Sequence, residues 1–254
     1  MGKQWVLTGL SSIVACCLLL GCGTPQPASN AASSSQAPAQ DSSRPVASEA
    51  QPDLESAYLS LARAGGKLVR LDPAASSVRV YVFRAGTAAA LGHNHVLTVP
   101  EFTGFFHAPS SGTRGARFDI VFRLDRLEID RPDIRATLGR AYASTVVPEM
   151  VAATRANMLG RDNLEADRFP LVHVRSLGTS GEAPKIAARI QIELHGQQRE
   201  LWVPLDVQGL PERLVVTGTL VLRQSDFGIK PFSVLGGLLA VEDELVVEFR
   251  LVGA

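Results

Sequence analysis

Cysteine is scarce in this sequence, and the few cysteines lie near its start. Of 254 residues only three are cysteine, and they are Cys16, Cys17 and Cys22. The chain beyond residue 22 therefore has no cysteine for an internal disulfide, a thiolate nucleophile or a metal ligand. Cysteine-based chemistry is excluded for that part of the protein.

The chain also lacks an excess of charge of either sign. Its 25 Lys and Arg residues balance 25 Asp and Glu residues, and the basic residues are mostly arginines scattered among acids. Domains that bind nucleic acid commonly carry a basic run or a basic face with aromatic residues, and neither is present. We therefore expect no nucleic-acid partner.

Long apolar runs are absent except for one at the N-terminus. Residues 5–20 are largely apolar, follow a short start that contains Lys3, and end in Leu-Leu-Gly-Cys at 19–22. The run is short for a membrane-spanning helix, which needs roughly 20 apolar residues, and is typical of a secretory signal. Its ending resembles the bacterial lipobox, so we predict a lipoprotein signal peptide at 1–21 and lipidation of Cys22. An ordinary signal peptide or an uncleaved anchor is the alternative.

Such an anchor has consequences for where the protein is found. Several acyl chains, at ~0.8 kcal/mol per buried methylene, hold a protein on a bilayer almost permanently. Gly23 follows the lipidated position, where no aspartate stands, and the resemblance to the enterobacterial sorting rule favours the outer membrane. We expect a lipid-anchored protein of the bacterial cell envelope that faces the periplasm.

The segment after the lipidated cysteine is poor in residues that a core could bury. Residues 22–53 are rich in Pro, Ala, Ser and Gln, and such a segment cannot offset its ordering entropy, so we predict a disordered tether. A short helix and lead-in are expected at 54–66, where Leu54, Tyr58 and Leu61 have helical spacing. The rest, 67–254, is long enough for one sizeable core.

Apolar and polar residues alternate with a period of two through most of the folded part. Alternation with charges on one face is typical of antiparallel strands with one buried and one wet face. We predict about eight strands, near 78–83, 96–106, 117–125, 171–177, 186–194, 201–207, 214–222 and 245–251. A closed barrel of eight strands hides its edges and can hold one small ligand, whereas a two-sheet sandwich would show the same alternation.

One clear helix interrupts these strands. The stretch "PEMVAATRANMLG" begins at Pro148, carries apolar residues at helical spacing and stops at Gly160. We place it between the fourth and fifth strands, where it would cap or flank the mouth of a barrel.

Three later blocks resemble the signature blocks of the YceI-like family. They are "GRDNLEADRFPLVHVRS" at 160–176, "IELHGQQRELWVPLDV" at 192–207 and "LRQSDFGI" at 222–229. The Phe-Pro pair of the first block, the Leu-His-Gly turn of the second and the Ser-Asp-Phe-Gly-Ile run of the third match in order. The resemblance covers residues 71–252, which is almost the whole folded part.

The resemblance implies a fold and a function. The family's fold is a lipocalin-like, extended antiparallel β-barrel with an elongated internal channel, and its best-known activity is binding polyisoprenoid chains such as isoprenoid quinones or prenyl phosphates. We therefore expect an all-β barrel that binds or carries an apolar lipid without covalent chemistry, with no cofactor besides that lipid. The chain departs from the family pattern at Asn157, where many members have histidine, and at Arg199-Glu200, where they have Lys-Pro.

The sharpest local feature is "LGHNHV", because His93 and His95 leave an extended chain on the same side. A metal site would need a third ligand, for which His107, His173 and His195 are candidates. Alternatively the pair hydrogen-bonds a quinone carbonyl or a phosphate at the barrel mouth, or it only satisfies neighbouring groups. Our candidate ligand-binding residues are His93, His95, Phe118, Ile120, Phe122 and Phe227, and His93 and His95 are also weak metal candidates.

The sequence offers little support for an enzyme. It contains serine, histidine and aspartate, but no Gly-x-Ser-x-Gly nucleophile elbow. We expect Asp226 to bond backbone groups in a turn, Phe227 to pack inward, Gly228 to adopt positive φ, and His195-Gly196 to form a hairpin turn.

Three hypotheses remain, and a homodimer is possible under each of them. The first is a lipid-binding envelope lipoprotein. The second is a metal protein or metal-dependent enzyme that uses His93 and His95. The third is a stress-related structural or interaction protein with a filled core. The apolar run at 235–244 either lines the channel entrance, dips toward lipid or packs under a loop.

Overall fold

The structure is a computed structural model that describes residues 53–110, 112, 114–210 and 212–254. The predicted signal peptide, the lipidated Cys22 and all but the last residue of the predicted tether lie outside these residues. Within the described part of the chain, no helix is long and apolar enough to cross a membrane.

The described residues form one antiparallel sheet with few helices. The helices are α1 (Leu54–Arg63), α2 (Pro132–Arg135) and α3 (Pro148–Leu159). The strands are β1 (Lys67–Arg70), β2 (Ser77–Ala85), β3 (His95–Thr98), β4 (Thr103–Ala108), β5 (Arg117–Arg123), β6 (Glu128–Ile129), β7 (Leu171–Glu182), β8 (Lys185–Leu194), β9 (Gln197–Gln208), β10 (Leu214–Arg223), β11 (Ser233–Val234) and β12 (Leu239–Gly253).

The sheet curls so that its first strand returns to its eighth. The order of pairing is β1-β4-β5-β7-β8-β9-β10-β12-β2-β3-β6, and β11 pairs with β12. Leu71, directly after β1, bridges Gly253 at the end of β12, and the Asp72 N–H donates to the Val252 carbonyl at 2.8 Å. A Cβ at Gly253 would lie 2.5 Å from Cγ1 of Val69, so this contact requires glycine. Eight strands therefore form a ring that is closed at this end.

Side-chain alternation explains why these strands curl around a core. On β8, Ile186, Ala188, Ile190 and Ile192 are all buried, while the residues between them are partly or fully exposed. Period-two burial of this kind is what the sequence predicts, and the antiparallel lipocalin-like barrel class is confirmed. Because the strands form one continuous sheet, the sandwich alternative is not observed.

Two details of the prediction change in the structure. The single strand predicted at 96–106 is two strands, β3 and β4, separated by residues 99–102, because Pro100 has no N–H to continue the ladder. The helix at 148–159 forms as predicted, but it lies between β6 and β7, before the fourth predicted strand and not after it. The short strands β1, β6 and β11 and the division of 96–106 account for the rise from eight strands to twelve among the described residues.

The hairpin between β8 and β9 is the predicted His195-Gly196 turn. His195 has φ of 53° and Gly196 has φ of 68°, so both central residues are left-handed, as a two-residue hairpin loop of matching twist requires. A Cβ at Gly196 would lie 2.7 Å from Cε1 of Phe169, which leaves room only for glycine.

We distinguish two ends of the barrel by the strand registers. The lower end carries the turn between β7 and β8, where Glu182 pairs with Lys185, and the bridge to Gly253. The upper end carries the His195-Gly196 turn and the turn that follows Arg223. Helix α3 packs over the upper end, where Val151, Met158 and Leu159 contact the main core.

Candidate functional site

The barrel contains an internal cavity of about 330 Å³ whose wall is almost entirely apolar. This volume lies at the small end of the range of roughly 300–1,000 Å³ found for ligand pockets. Its apolar wall comes from β2, β3, β4, β5, β7, β8, β9, β10 and β12, with Leu164, Phe227, Ile229 and Phe232 from the connections. The interior is therefore not completely filled by side chains.

The structure brings most of the predicted ligand-binding residues to this cavity. Phe118, Ile120, Phe122 and Phe227 lie in its wall, and so does His95. His93 is the exception, because it stands beside His95 without lining the cavity. That these residues contact a ligand stays a prediction.

Polar groups of the wall concentrate at the upper end. The described polar residues there are His95, Thr154, Asn157, Asn163, Arg223 and Gln224. Thr154 and Asn157 come from α3, and the departure from the family pattern at Asn157 thus falls on the cavity wall. The lower end is lined by Phe106, Ile186, Val207, Val216 and Leu251, with Thr179 as its polar residue. The few polar groups of the wall therefore lie mainly at one end of the cavity.

A buried polar contact at the upper end joins His95 to Asp130. Nδ1 of His95 lies 2.6 Å from Oδ2 of Asp130, and the side chain of Asp130 is fully buried. Oδ1 of Asp130 accepts from the N–H of Val96 at 3.0 Å and from Arg135 at 2.7 Å. Burial acts to raise the pKa of Asp130, but the hydrogen bonds from His95, Val96 and Arg135 hold this pKa below its usual value.

Arg135 holds the carboxylate of Asp130 in place. Its guanidinium is nearly fully buried and donates to the carbonyl oxygen of Asn94 at 2.8 Å and to both the carbonyl and the hydroxyl of Ser144 at 3.1 Å. It also lies 5.8 Å from the ring centre of Tyr142. The charge of Asp130 is thus balanced by a cation that is itself held in place.

His93 completes this group of side chains without a polar partner of its own. Its ring lies 4.6 Å from the ring of His95 in an edge-on arrangement, and its Nε2 is buried with no hydrogen-bond partner among the described residues. Burial, together with the positive charge that His95 can carry, lowers the pKa of His93. The surroundings of His93 therefore favour its neutral form.

The metal hypothesis finds a third candidate ligand in Asp130. One ligand atom each from His93, His95 and Asp130 lies within 4.8 Å of the others. Two imidazoles and a carboxylate form a donor set that zinc or iron(II) accepts. However, Arg135 already occupies one oxygen of Asp130, and a divalent cation would stand close to this buried guanidinium.

The other three histidines do not join His93 and His95. Nε2 of His107 bonds the carbonyl of Gly65 at 2.7 Å. His173 bonds Asp119, whose other oxygen accepts from the Tyr58 hydroxyl on α1. Nδ1 of His195 lies 3.1 Å from the carbonyl oxygen of Phe227. None of these three candidates therefore stands beside His93 and His95 as a third ligand.

Asp130 was missed by reasoning from the sequence. It follows the two-residue strand β6 and has φ of 52°, a left-handed conformation that aspartate tolerates better than most residues. The available signal is the stretch "EIDRP", in which an acid separates an apolar residue from the proline that starts α2. That signal indicates a turn, but it does not name His95 as the partner.

The turn after β10 also differs in part from expectation. Phe227 is 1% exposed and Gly228 has φ of 72°, as predicted. The carboxylate that bonds this turn is Asp243, which accepts from the N–H of Ser225 at 2.8 Å and from its hydroxyl. Asp226, the residue expected in that role, makes no such bond among the described residues.

Exposed apolar side chains stand on two loops near the upper end. Leu91 is 82% exposed and Leu235 is 72% exposed. Their segments touch, because the Ala88 N–H donates to the Leu238 carbonyl at 2.9 Å. Phe232, which is partly exposed, also lines the cavity. We call Leu91, Phe232, Val234, Leu235 and Leu238 the apolar rim.

Fold and cavity together define an antiparallel β-barrel protein with a largely apolar internal pocket. Residues 70–253 match the model of the YceI-like domain, and the chain therefore belongs to the YceI-like family. The resemblance inferred from the three sequence blocks is confirmed.

Two solved structures are similar in fold. BcnA from Burkholderia cenocepacia has a TM-score of 0.51 at 14% identity, over 72% of this chain and 98% of that one. A polyisoprenoid binding domain from Saccharophagus degradans, implicated in plant cell wall breakdown, has a TM-score of 0.50 at 16% identity, over 74% of this chain and 98% of that one. No curated protein sequence gives a significant match.

Proposed function

We propose that this protein is an envelope lipoprotein that binds an isoprenoid or similar lipid inside its barrel and performs no covalent chemistry on it. The observation that carries the proposal is the internal cavity of about 330 Å³ with its apolar wall. Apolar surface of this kind is favourably covered by a hydrocarbon chain, at roughly 25 cal/mol per Å² removed from water. The likeness in fold to a polyisoprenoid binding domain from another bacterium supports the same ligand class.

The distribution of polar groups supports one orientation of the lipid. An apolar tail would extend toward the lower end, beside Phe106, Ile186 and Val216. A polar head would stay at the upper end, where His95, Asn157 and Gln224 offer hydrogen-bonding groups. The cavity also argues against the hypothesis of a filled core, because a structural barrel has no need of such a space.

The apolar rim supports uptake from a membrane. A group of exposed apolar side chains marks a surface that meets a partner or a bilayer, and Phe232 of the apolar rim also lines the cavity. With the lipidated Cys22 as an anchor and residues 22–53 as a tether, the domain would reach the bilayer surface. A lipid could then pass from the bilayer along the rim into the barrel.

Extraction of bound lipid tests the ligand. The full chain is expressed in a bacterial host, purified from the envelope in mild detergent and analysed by native mass spectrometry. We expect a stoichiometric adduct whose extracted mass is that of an isoprenoid or a related single-tailed lipid. A protein that carries no adduct, and that takes up none when mixed with isoprenoid quinones or prenols, would contradict the proposal.

Labelling with radioactive palmitate tests the anchor. We expect the wild-type chain to incorporate the label and to stay with the membrane fraction, and the Cys22→Ser chain to lose both properties. Cys17→Ser is the matched control, since residue 17 lies within the predicted leader and should not affect labelling. Equal labelling of the Cys22→Ser chain would exclude this site.

A metal centre is the second candidate, favoured by the proximity of His93, His95 and Asp130. Metal analysis of the purified wild type beside a His93→Ala, His95→Ala chain tests it. Stoichiometric zinc or iron in the wild type alone would support a centre here. Its absence from both proteins after incubation with metal would exclude one.

A further inference from the structure

We propose that His95 selects lipids whose polar end is a neutral hydroxyl group, such as an isoprenoid alcohol or a quinol, by accepting the hydroxyl hydrogen at Nε2. This inference rests on the proposed function, because it names the head group of the lipid that would occupy the same cavity. It makes His95 a specificity-determining residue and Asp130 its positioning residue.

Asp130 determines which nitrogen of the His95 imidazole carries the hydrogen. Nδ1 of His95 lies 2.6 Å from Oδ2 of Asp130. Since Asp130 is ionised and accepts only, the hydrogen between the two atoms belongs to Nδ1. In the neutral imidazole the other nitrogen, Nε2, then has a free lone pair and can only accept. The carboxylate thereby fixes which ring nitrogen of His95 is the acceptor.

The acceptor nitrogen, Nε2 of His95, belongs to the cavity. His95 forms part of the cavity wall, and with Nδ1 engaged, Nε2 is the ring nitrogen left for a ligand. Among the described residues Nε2 of His95 has no hydrogen-bond partner. A polar atom in an apolar cavity without a partner is costly, so a ligand that supplies a donor there gains over one that does not.

The contact between Asp130 and His95 is held rigidly. Oδ1 of Asp130 is held by the N–H of Val96 and by Arg135, and Arg135 is held in turn by the carbonyl of Asn94 and by Ser144. The carboxylate therefore cannot rotate to release Nδ1 without breaking a buried ion pair. A preorganised acceptor discriminates between head groups better than a mobile one.

The arginines nearest to the cavity are paired. Arg135 forms an ion pair with Asp130 at 2.7 Å, and Arg223, which lines the upper end of the cavity, forms one with Glu244 at 3.2 Å. No unpaired guanidinium among the described residues of the cavity wall is thus left to attract a phosphate. A neutral head that donates a hydrogen bond fits this place, whereas a carbonyl, an ether or a hydrocarbon end offers Nε2 no hydrogen.

Matched ligands with one tail test the inference. Geranylgeraniol, its methyl ether and the corresponding aldehyde share a tail of the same length, and only the alcohol donates a hydrogen bond. Radiolabelled ligands are equilibrated with the full chain in mild detergent, and the three dissociation constants are compared. We expect the alcohol to bind the wild type about fivefold to tenfold more tightly than either of the others, as one hydrogen bond to a buried acceptor provides.

Two variants separate selection by His95 from tail binding. His95→Phe should bind all three ligands with similar affinity, because the tail contacts remain and the acceptor is gone. His173→Gln is the control, and it should keep the preference for the alcohol, because His173 bonds Asp119 and does not line the cavity.

Asp130→Asn provides an independent test of the role of His95, because it leaves the histidine in place. Oδ1 receives two donors, so the asparagine should keep its carbonyl oxygen there and turn its amide nitrogen to Nδ1 of His95. The hydrogen then moves to Nε2, which becomes a donor. We expect nitrogen-15 NMR to show the opposite tautomer of His95 and the binding preference to shift from the alcohol to the aldehyde.

The results of these experiments separate the role of His95 from the proposed lipid binding on which it rests. Equal affinity of the wild type for the three ligands, or a preference for the aldehyde, would overturn the role of His95 while lipid binding stands. Binding of none of them, together with no lipid adduct in the purified protein, would overturn the proposed function itself.

Discussion

His95 and Asp130 are 35 residues apart in the sequence, yet Nδ1 of the histidine lies 2.6 Å from Oδ2 of the aspartate. The contact exists because β3 pairs with β6, where Leu97 is opposite Ile129, and because Asp130 follows β6 in a left-handed conformation. The pair stands between the cavity on one side and the buried Arg135 on the other. It thus links the proposed ligand contact to the stability of the fold.

Removing Arg135 should destabilise the protein strongly. Arg135→Met leaves the charge of Asp130 buried without its cation, and breaking a buried pair in this way costs about 3–5 kcal/mol. The matched control is Arg131→Met, which breaks exposed ion pairs with Glu128 and Asp133 and should cost no more than about 1 kcal/mol. Urea unfolding followed by circular dichroism measures both, and similar costs for the two variants would contradict the buried pair.

Blocking the cavity should abolish ligand binding. Leu220 lines the cavity, and its neighbour Val221 faces outward on the same strand with 56% of its surface exposed. We expect Leu220→Trp to weaken lipid binding at least about tenfold, a loss of roughly 1.4 kcal/mol, and Val221→Trp to leave it unchanged. Lipid titration of the two purified variants checks this. A lipid-binding site outside the barrel is indicated if Leu220→Trp binds like the wild type.

Charging the apolar rim should slow lipid uptake from membranes. Leu91→Asp and Leu235→Asp together place two carboxylates where the proposal has the protein touch a bilayer, so the rate of transfer from vesicles should fall about tenfold or more. Affinity for lipid presented in detergent should change little. Leu59→Asp on α1, where the leucine is 41% exposed, serves as the control and should not slow transfer. An unchanged rate in the rim variant would rule out uptake at this surface.

Mild acid should destabilise the fold through His93. Burial first, and then the positive charge on His95, lower the pKa of His93 below its ordinary value in the native state. As the pH falls through the ordinary histidine value of about 6.5, the unfolded chain binds a proton that the native protein does not, so the free energy of unfolding falls. Asp130 adds to the loss only at lower pH, as the pH falls through its depressed native pKa.

The test is the urea midpoint measured between pH 7.5 and 5. We expect a smaller drop across this interval for His93→Gln than for the wild type, because glutamine has no proton to gain. Parallel curves for the two proteins would show that His93 does not contribute to the pH dependence.

Local sequence patterns determined the strands and their inward faces. Alternation along β8 predicts which of its side chains are buried, and His195-Gly196 predicts a tight hairpin, because both depend on residues next to each other in the chain. The family blocks are likewise local runs of residues. Even Phe118, Ile120 and Phe122 reach the cavity wall as an alternating strand requires.

Only the tertiary structure decided what those elements enclose. The bridge from Leu71 to Gly253 depends on the curl of the entire sheet, and the choice between a filled core and a cavity depends on how far the strands stand apart. The partner of His95 is Asp130 and not another histidine, because pairing of β3 with β6 brings together residues that no short-range pattern connects. Periodicity fixes the side of a strand on which a residue lies, but contacts across the barrel depend on register and curvature, which are properties of the whole chain.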